Sequence, residues 1–135
     1  MTTPQFGSDG RDRTTYVPFE LLRAQDAPNY FLQYNDWDWL FTTYQADLLE
    51  GAINGYYVNG PGIEGLVKAA LLENGIHPDS SEIFYNSEGD CCHIEFGSRL
   101  DTAIRTAEVA AAMIKDREKL LAAIVVARDQ GFEDS

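Results

Sequence analysis

Hydrophobic side chains fall on every second position near the start of the chain. Across residues 16–24 this alternation is typical of a β-strand, and Pro18 within it predicts a strand at the edge of a sheet. Residues 25–29 favour a turn, so Tyr30–Tyr34 is predicted to return as the second strand of a hairpin.

A helical period replaces the alternation after Tyr34. We predict a helix that begins at an N-cap formed by Asn35 or Asp36 and ends at Gly51. Its apolar face comprises Trp37, Leu40, Phe41, Tyr44 and Leu48. The stretch 51–62 carries four glycines and is predicted to be a loop.

A second helix and a second hairpin follow this stretch. The helix has an apolar face from Ile63 to Leu71 and is predicted to end at Asn74-Gly75. The strands of the hairpin are predicted at Glu82–Asn86 and Cys91–Gly97, joined by an acidic turn at 87–90.

Two helices are predicted at the end of the chain, over Leu100–Ile114 and Asp116–Asp129. The resulting order is ββααββαα. It predicts an α+β fold with a mostly antiparallel four-stranded sheet and helices on one face. We expect residues 16–132 to form this single domain and residues 1–15 to be a flexible N-terminal arm.

Negative charge is concentrated in the middle of the chain. The formal net charge of the protein is −12, and residues 24–98 hold twelve acids and a single base, Lys68. Such a field repels nucleic acid and anionic lipid and attracts basic proteins in a salt-sensitive way. The simpler interpretation, that acidity keeps the protein soluble, stays open at this point.

The composition of the chain indicates in which cellular compartment the protein is expected. No apolar run approaches the roughly 18 residues that cross a bilayer, and the first fifteen residues lack the apolar core of a secretory signal. The two cysteines, Cys91 and Cys92, are adjacent in the sequence and cannot form a disulfide that links distant parts of the fold. We therefore expect a cytoplasmic protein with no membrane contact.

Sequence patterns for catalysis or cofactor binding are weak. Gly60–Gly65 matches the glycine spacing of a phosphate loop, but no clear strand precedes it and Glu64 would repel an anion. Cys91, Cys92 and His93 are too few for a zinc site, and adjacent residues of a strand point to opposite faces. We predict no catalytic residue, no cofactor and no metal ion.

Exposed acids and aromatics are the remaining candidates for function. Tyr56 and Tyr57 lie in the glycine-rich stretch, and tyrosine is a favoured anchor at protein interfaces. The predicted partner-binding residues are Asp36, Asp38, Glu50, Tyr56, Tyr57, Glu64, Glu88 and Asp90.

Three stretches together suggest a family. They are the aromatic strand Tyr30–Tyr34, Asn54-Gly55-Tyr56 ahead of a helix, and Ile83–Cys92, where an acid-and-glycine turn leads into a strand with cysteine. With the two C-terminal helices, the segment from Tyr30 to Phe132 resembles the immunity protein 51 family of bacterial polymorphic-toxin systems.

The resemblance implies a small cytoplasmic protein, without enzymatic activity or cofactor, that binds and neutralises a cognate toxin. From the charge we expect this toxin to be basic, for example a nuclease. Two alternatives remain: an adaptor or chaperone for a secreted effector, and a small enzyme built around Cys91, Cys92 and His93.

Overall fold

The computed structural model of the protein describes residues 1–132, which form an α+β fold with four helices and eight strands. In chain order the elements are β1 (Arg11–Asp12), β2 (Glu20–Arg23), β3 (Tyr30–Tyr34), α1 (Trp37–Thr43), β4 (Leu48–Leu49), β5 (Ala52–Ile53), β6 (Tyr56–Tyr57), α2 (Gly60–Glu73), β7 (Phe84–Tyr85), β8 (Cys92–Glu95), α3 (Leu100–Lys115) and α4 (Arg117–Gln130). The α+β class predicted from the sequence is confirmed. The predicted number and order of strands are wrong, because five of the eight strands have only two residues and are too short to show a period.

A five-stranded antiparallel sheet, in the order β1-β2-β3-β8-β7, forms one layer of the fold. Leu21, Leu32 and Ile94 lie opposite one another on three neighbouring strands and are fully buried. The hairpin predicted between residues 16 and 34 is present as β2 and β3. Pro18 predicted that the first strand of this hairpin lies at the edge of the sheet. In the structure β2 is not an edge strand, because β1 pairs with it on the side away from β3, and Pro18 lies before β2 begins.

A second antiparallel sheet, in the order β4-β5-β6, replaces two predicted elements. The helix predicted to reach Gly51 ends at Thr43, and the loop predicted over 51–62 contains β5, β6 and the start of α2. Both turns of this sheet are two residues long with positive φ: 54° and 79° at Glu50-Gly51, and 51° and 79° at Asn54-Gly55. These angles match the turn that suits the twist of a tight hairpin.

The three longer helices agree with the sequence prediction. Helix α2 packs against α3, α4 and β8, so most of its surface is buried. Asp116 caps α4 by accepting hydrogen bonds from the N–H groups of Glu118 and Lys119 at 3.0 and 3.3 Å. Gly131 ends the same helix in a left-handed conformation, at φ 73°. No helix within residues 1–132 has the length and apolar character needed to cross a membrane.

The N-terminal residues 1–15, predicted as a flexible arm, instead pack against the domain and contribute β1. The side chain of Asp12 is buried and accepts hydrogen bonds from the backbone N–H groups of Gln5, Thr14 and Thr15 at 2.8 to 3.0 Å. Burial alone would raise the pKa of Asp12, but these hydrogen bonds outweigh it and hold the pKa below its ordinary value. The carboxylate therefore organises the segment internally, and the pairing of β1 with β2 and the hydrogen bonds from Thr2 to Glu108 tie the segment to the domain.

Candidate protein-binding surface

A hydrogen bond between helix α1 and the β7–β8 turn assembles an acidic surface. The indole Nε1 of Trp37 donates to the carbonyl oxygen of Asp90 at 2.8 Å. Asp36 and Asp38 flank Trp37 in the chain, and the side chains of Glu88 and Asp90 belong to the turn that Trp37 contacts. All four acids are exposed. We call Asp36, Asp38, Glu88 and Asp90 the acidic rim.

The turn that carries half of the acidic rim is held by backbone hydrogen bonds. Glu88 and Cys91 exchange two of them, at 3.0 and 2.8 Å, which closes the turn. The carbonyl oxygen of Gly89 accepts a third from the N–H of Gly60 at the start of α2, at 2.8 Å. The carboxylates of Glu88 and Asp90 are therefore presented on a fixed backbone.

Glu64 is placed differently from the acids of the rim. Its side chain is largely buried, pairs with Lys68 at 3.6 Å and accepts a hydrogen bond from the N–H of Ser87 at 3.4 Å. The ammonium of Lys68 in turn lies 4.4 Å from the centre of the Tyr85 ring. Glu64 therefore supports the β7–β8 turn through its contact with Ser87. The sequence analysis predicted that Glu64 contacts a partner, but in the structure its side chain makes contacts within the protein.

The two adjacent tyrosines point to opposite sides of β6. Tyr56 is fully buried, and its hydroxyl donates a hydrogen bond to the carbonyl oxygen of Gly62. Tyr57 is 62% exposed. The prediction that Tyr56 contacts a partner is wrong for this conformation, because consecutive residues of a strand alternate between faces and Tyr56 occupies the inner one.

An exposed apolar pair lies on the outer face of the small sheet. Leu49 on β4 and Tyr57 on β6 both lie opposite Ala52 on the central strand β5, so the three side chains share one face. Leu49 is 77% exposed. Glu50 follows it in the β4–β5 turn and is also exposed. Sequence analysis missed Leu49, since it placed the residue at the end of a helix.

Helix α1 carries part of the acidic rim and also adjoins the small sheet. A chain of ring contacts runs from Tyr34 to Trp37 and on to Phe41, with centroids 5.4 and 6.1 Å apart. Phe41 is 45% exposed and lines a shallow pocket together with Asp38 of the rim and Leu48 of β4. The Trp37–Asp90 hydrogen bond places the segment that carries the predicted acids 36 and 38 beside the turn that carries the predicted acids 88 and 90. Glu50 and Tyr57 belong to the neighbouring sheet.

The glycine spacing at Gly60–Gly65 is explained by close packing. A Cβ on Gly60 would lie 2.6 Å from the carbonyl oxygen of Cys91, and a Cβ on Gly62 would collide with the carbonyl oxygen of Tyr57. A Cβ on Gly65 would lie 2.6 Å from the hydroxyl oxygen of Tyr56. Each glycine lets α2 approach its neighbours, and this role accounts for the motif without a phosphate.

The cysteines and His93 have structural surroundings. Burial raises the pKa of the Cys92 thiol strongly and that of the half-buried Cys91 thiol as well, so the reactive thiolate is disfavoured at both. His93 hydrogen-bonds through Nδ1 to the side-chain amide of Gln33 at 3.0 Å and stacks on Phe31. No group of three or more potential metal ligands is arranged to hold an ion in the part of the chain that the structure describes.

A depression of about 470 Å³ between α2, α3 and α4 is large enough for a small ligand. Val109 and Met113 contribute apolar surface, and Arg105 and Glu108 contribute opposite charges. The carboxylate of Glu108 already accepts two hydrogen bonds from Thr2, at 2.6 and 2.8 Å. The depression therefore has charges of both signs, and the carboxylate of Glu108 is already used in contacts within the protein. For this reason we place the candidate functional surface at the acidic rim and the small sheet instead.

No protein-family model, curated protein or solved structure matches this chain. The resemblance to the immunity protein 51 family accordingly stays a prediction from the sequence, and the function must be argued from the surface itself.

Proposed function

We propose that this protein is an immunity protein that binds a cognate bacterial toxin domain through its acidic surface and neutralises it. The observation that carries the proposal is the hydrogen bond from Trp37 to Asp90, because it joins two separate acidic segments into one rim. The resemblance of the sequence to the immunity protein 51 family points to the same function.

The charge of this region has few internal counterions. Lys68 is the single Lys or Arg between residues 24 and 98, and it is paired with Glu64 beneath the β7–β8 turn. The four carboxylates of the rim form no ion pair among residues 1–132. Uncompensated charge of one sign accelerates the approach of an oppositely charged protein and makes that approach sensitive to salt.

A basic toxin is the partner that such a rim fits. Enzymes that cleave nucleic acid bind phosphates with Lys and Arg side chains. A rim of carboxylates competes for the same side chains, and on this basis we propose a nuclease as the toxin class.

The test is the association rate of the purified protein with the protein encoded by the adjacent gene. We expect the rate constant for wild type to fall at least tenfold between about 50 and 500 mM salt. The variant Asp38→Lys/Glu88→Lys/Asp90→Lys should associate at least tenfold more slowly than wild type at low salt.

The control is Asp26→Lys/Asp79→Lys/Asp129→Lys, which changes the net charge equally at exposed acids outside the rim. We expect it to lose far less of the association rate than the rim variant. Equal losses would mean that net charge alone matters and that the rim is not the binding surface. A complex with a secretion component and no toxin would favour the adaptor function.

A further inference from the structure

We infer that a shallow pocket between α1 and β4 receives an arginine side chain of the partner protein. We call it the α1 pocket, and it is lined by Asp38, Phe41, Thr42, Gln45 and Leu48. The inference rests on the proposed function and deepens it, because it names the side chain that this part of the acidic surface selects.

The α1 pocket is built from one face of a helix and one strand. Asp38 and Phe41 are three positions apart on α1, and Thr42 lies four positions after Asp38, so their side chains share a face of the helix. Leu48 on β4 and Gln45 in the connection between the two elements form the other side. The pocket has a volume of about 410 Å³ and adjoins the acidic rim, since Asp38 belongs to both.

Phe41 supplies an exposed aromatic ring whose position is supported by Trp37. The ring of Phe41 is 45% exposed, and its centroid lies 6.1 Å from that of the indole. The indole is itself held by the hydrogen bond to Asp90. A ring that is held in place before binding costs little to order, and its exposed part offers a surface on which a guanidinium stacks.

Asp38 supplies a carboxylate without an internal counterion. Its side chain forms no ion pair and no hydrogen bond within residues 1–132. Arg117 reaches the residue before β4, but it donates two hydrogen bonds to Asp47 there, at 2.7 and 3.1 Å, so its charge is already balanced. A carboxylate that has no partner and stands beside an aromatic ring favours a cation as the occupant of the pocket.

The polar atoms of the α1 pocket fit a guanidinium better than an ammonium. The hydroxyl of Thr42 and the amide oxygen of Gln45 can accept hydrogen bonds, and neither side chain is used in one within the part of the chain that the structure describes. Arginine carries five N–H donors in one plane, whereas lysine carries three on a single atom. The aliphatic stem of arginine packs on an apolar side chain such as Leu48.

Other occupants fit the α1 pocket less well. A free small molecule would keep much of its surface in water, because sites for such ligands enclose them and this pocket is shallow. A second copy of this chain would bring a net charge of −12 to a surface that already carries unpaired carboxylates. An apolar side chain would remove water from Asp38 without giving its carboxylate a partner.

The experiment measures the dissociation constant and the rate constants of the complex with the protein encoded by the adjacent gene. Asp38→Asn and Phe41→Ala should each weaken binding at least about tenfold. Phe41→Ala should act through faster dissociation at an unchanged association rate, since it removes no charge. The double variant should lose less than the product of the two single losses, because both residues hold the same side chain.

Asp79→Asn and Phe84→Ala are the matched controls, because both residues are exposed and lie outside the α1 pocket. We expect each control to stay within about twofold of wild type. Phe41→Leu keeps an apolar wall but removes the ring, and it should also weaken binding. Replacing the arginines of the partner by alanine, one at a time, should identify one position at which Phe41→Ala has no further effect.

The outcomes separate the inference from the proposed function. Binding that needs Glu88 and Asp90 but is no more affected by Asp38→Asn and Phe41→Ala than by the controls overturns the inference and leaves the function standing. Wild-type affinity of Phe41→Leu also overturns it, because an apolar occupant would then account for the contact. Absence of any complex with the wild-type protein contradicts the proposed function, and the inference fails with it. All variants should melt at the wild-type temperature, because every substituted side chain is exposed.

Discussion

The indole Nε1 of Trp37 lies 2.8 Å from the carbonyl oxygen of Asp90 and donates a hydrogen bond to it across 53 positions of sequence. Trp37 also makes an edge-on contact with Tyr34. The side chain therefore joins the end of β3, the first turn of α1 and the β7–β8 turn, and the acidic rim depends on this junction.

Trp37→Phe should keep an aromatic ring at the junction and remove the hydrogen bond. We expect the free energy of unfolding to fall by about 1 kcal/mol, and the backbone amides of residues 87–91 to exchange hydrogen faster. Trp39→Phe on the same helix is the control, since its indole makes no hydrogen bond within residues 1–132. Unchanged exchange in the turn would show that Trp37 does not hold it.

Tyr44 links the end of α1 to the end of α3. Its buried hydroxyl donates a hydrogen bond to the carbonyl oxygen of Ile114, one of the last carbonyls of a helix, which lack partners within the helix. Tyr44→Phe should lower the free energy of unfolding by about 1–3 kcal/mol, because the carbonyl is left buried without a donor.

Tyr57→Phe removes the same atom from an exposed position and is the matched control for Tyr44. We expect its effect on stability in urea denaturation to stay within about 0.5 kcal/mol. If the two substitutions cost the same, the Tyr44 hydrogen bond contributes nothing specific.

Asp12 should make stability depend on acid pH. Its pKa in the folded protein lies below the unfolded value of 3.8, so the unfolded state takes up a proton first as the pH falls. The stability that Asp12 contributes is therefore complete above about pH 5 and is lost as the pH drops through 3.8 toward the folded pKa.

Asp12→Asn tests this dependence by urea denaturation between pH 7 and pH 3. We expect the variant to be about 2 kcal/mol less stable than wild type at neutral pH, and the difference to shrink below about pH 4. Asp26→Asn, at an exposed position of the β2–β3 turn, controls for the substitution. A difference between Asp12→Asn and wild type that is constant with pH would contradict the assigned role of Asp12.

Much of the fold could be predicted from the sequence because the longer elements carry clear periods. The strand Tyr30–Tyr34 has the predicted boundaries, and α4 begins one residue after the predicted start at Asp116, which is its N-cap. The predicted strand Cys91–Gly97 contains β8, and its alternate residues 92, 94 and 96 are all buried. In these elements local pattern and tertiary packing favour the same structure.

The small sheet could not be predicted from periodicity, since strands of two residues show none. The helical spacing that reaches Leu48 agrees with a helix, but Tyr44 turns away to contact Ile114, and Leu48 pairs with Ile53. Asn54-Gly55 was an available signal, because this dipeptide is a strong indicator of a tight hairpin. The surrounding glycines obscured it.

The partner-binding role of the candidate surface stays a prediction. The acids at 36, 38, 88 and 90 were proposed from charge, and the contact between Trp37 and Asp90 shows that their two segments, distant in the sequence, adjoin. Tyr56 and Tyr57 point to opposite faces because they are consecutive residues of β6. The sequence analysis predicted a loop there, so it could not say which of the two tyrosines faces outward. Leu49 carries no signal of exposure in the sequence.

Substitutions of Glu50 test whether this residue lowers the stability of the protein while it contributes to binding. Glu50→Asn should raise the free energy of unfolding by about 0.5–1 kcal/mol, because asparagine tolerates the left-handed backbone better. Glu50→Gln removes the charge but keeps the unfavourable backbone, and its stability should equal that of wild type. Both variants should bind the partner more weakly. A destabilised Glu50→Asn would contradict the backbone argument.

The measurement that tests the account most directly is survival of a sensitive bacterial host that expresses the adjacent gene with or without this protein. We predict that the adjacent gene alone arrests growth, that co-expression restores it, and that the two proteins copurify from the surviving cells. Growth arrest that this protein does not relieve, or an adjacent gene without toxicity, would contradict the proposed immunity function.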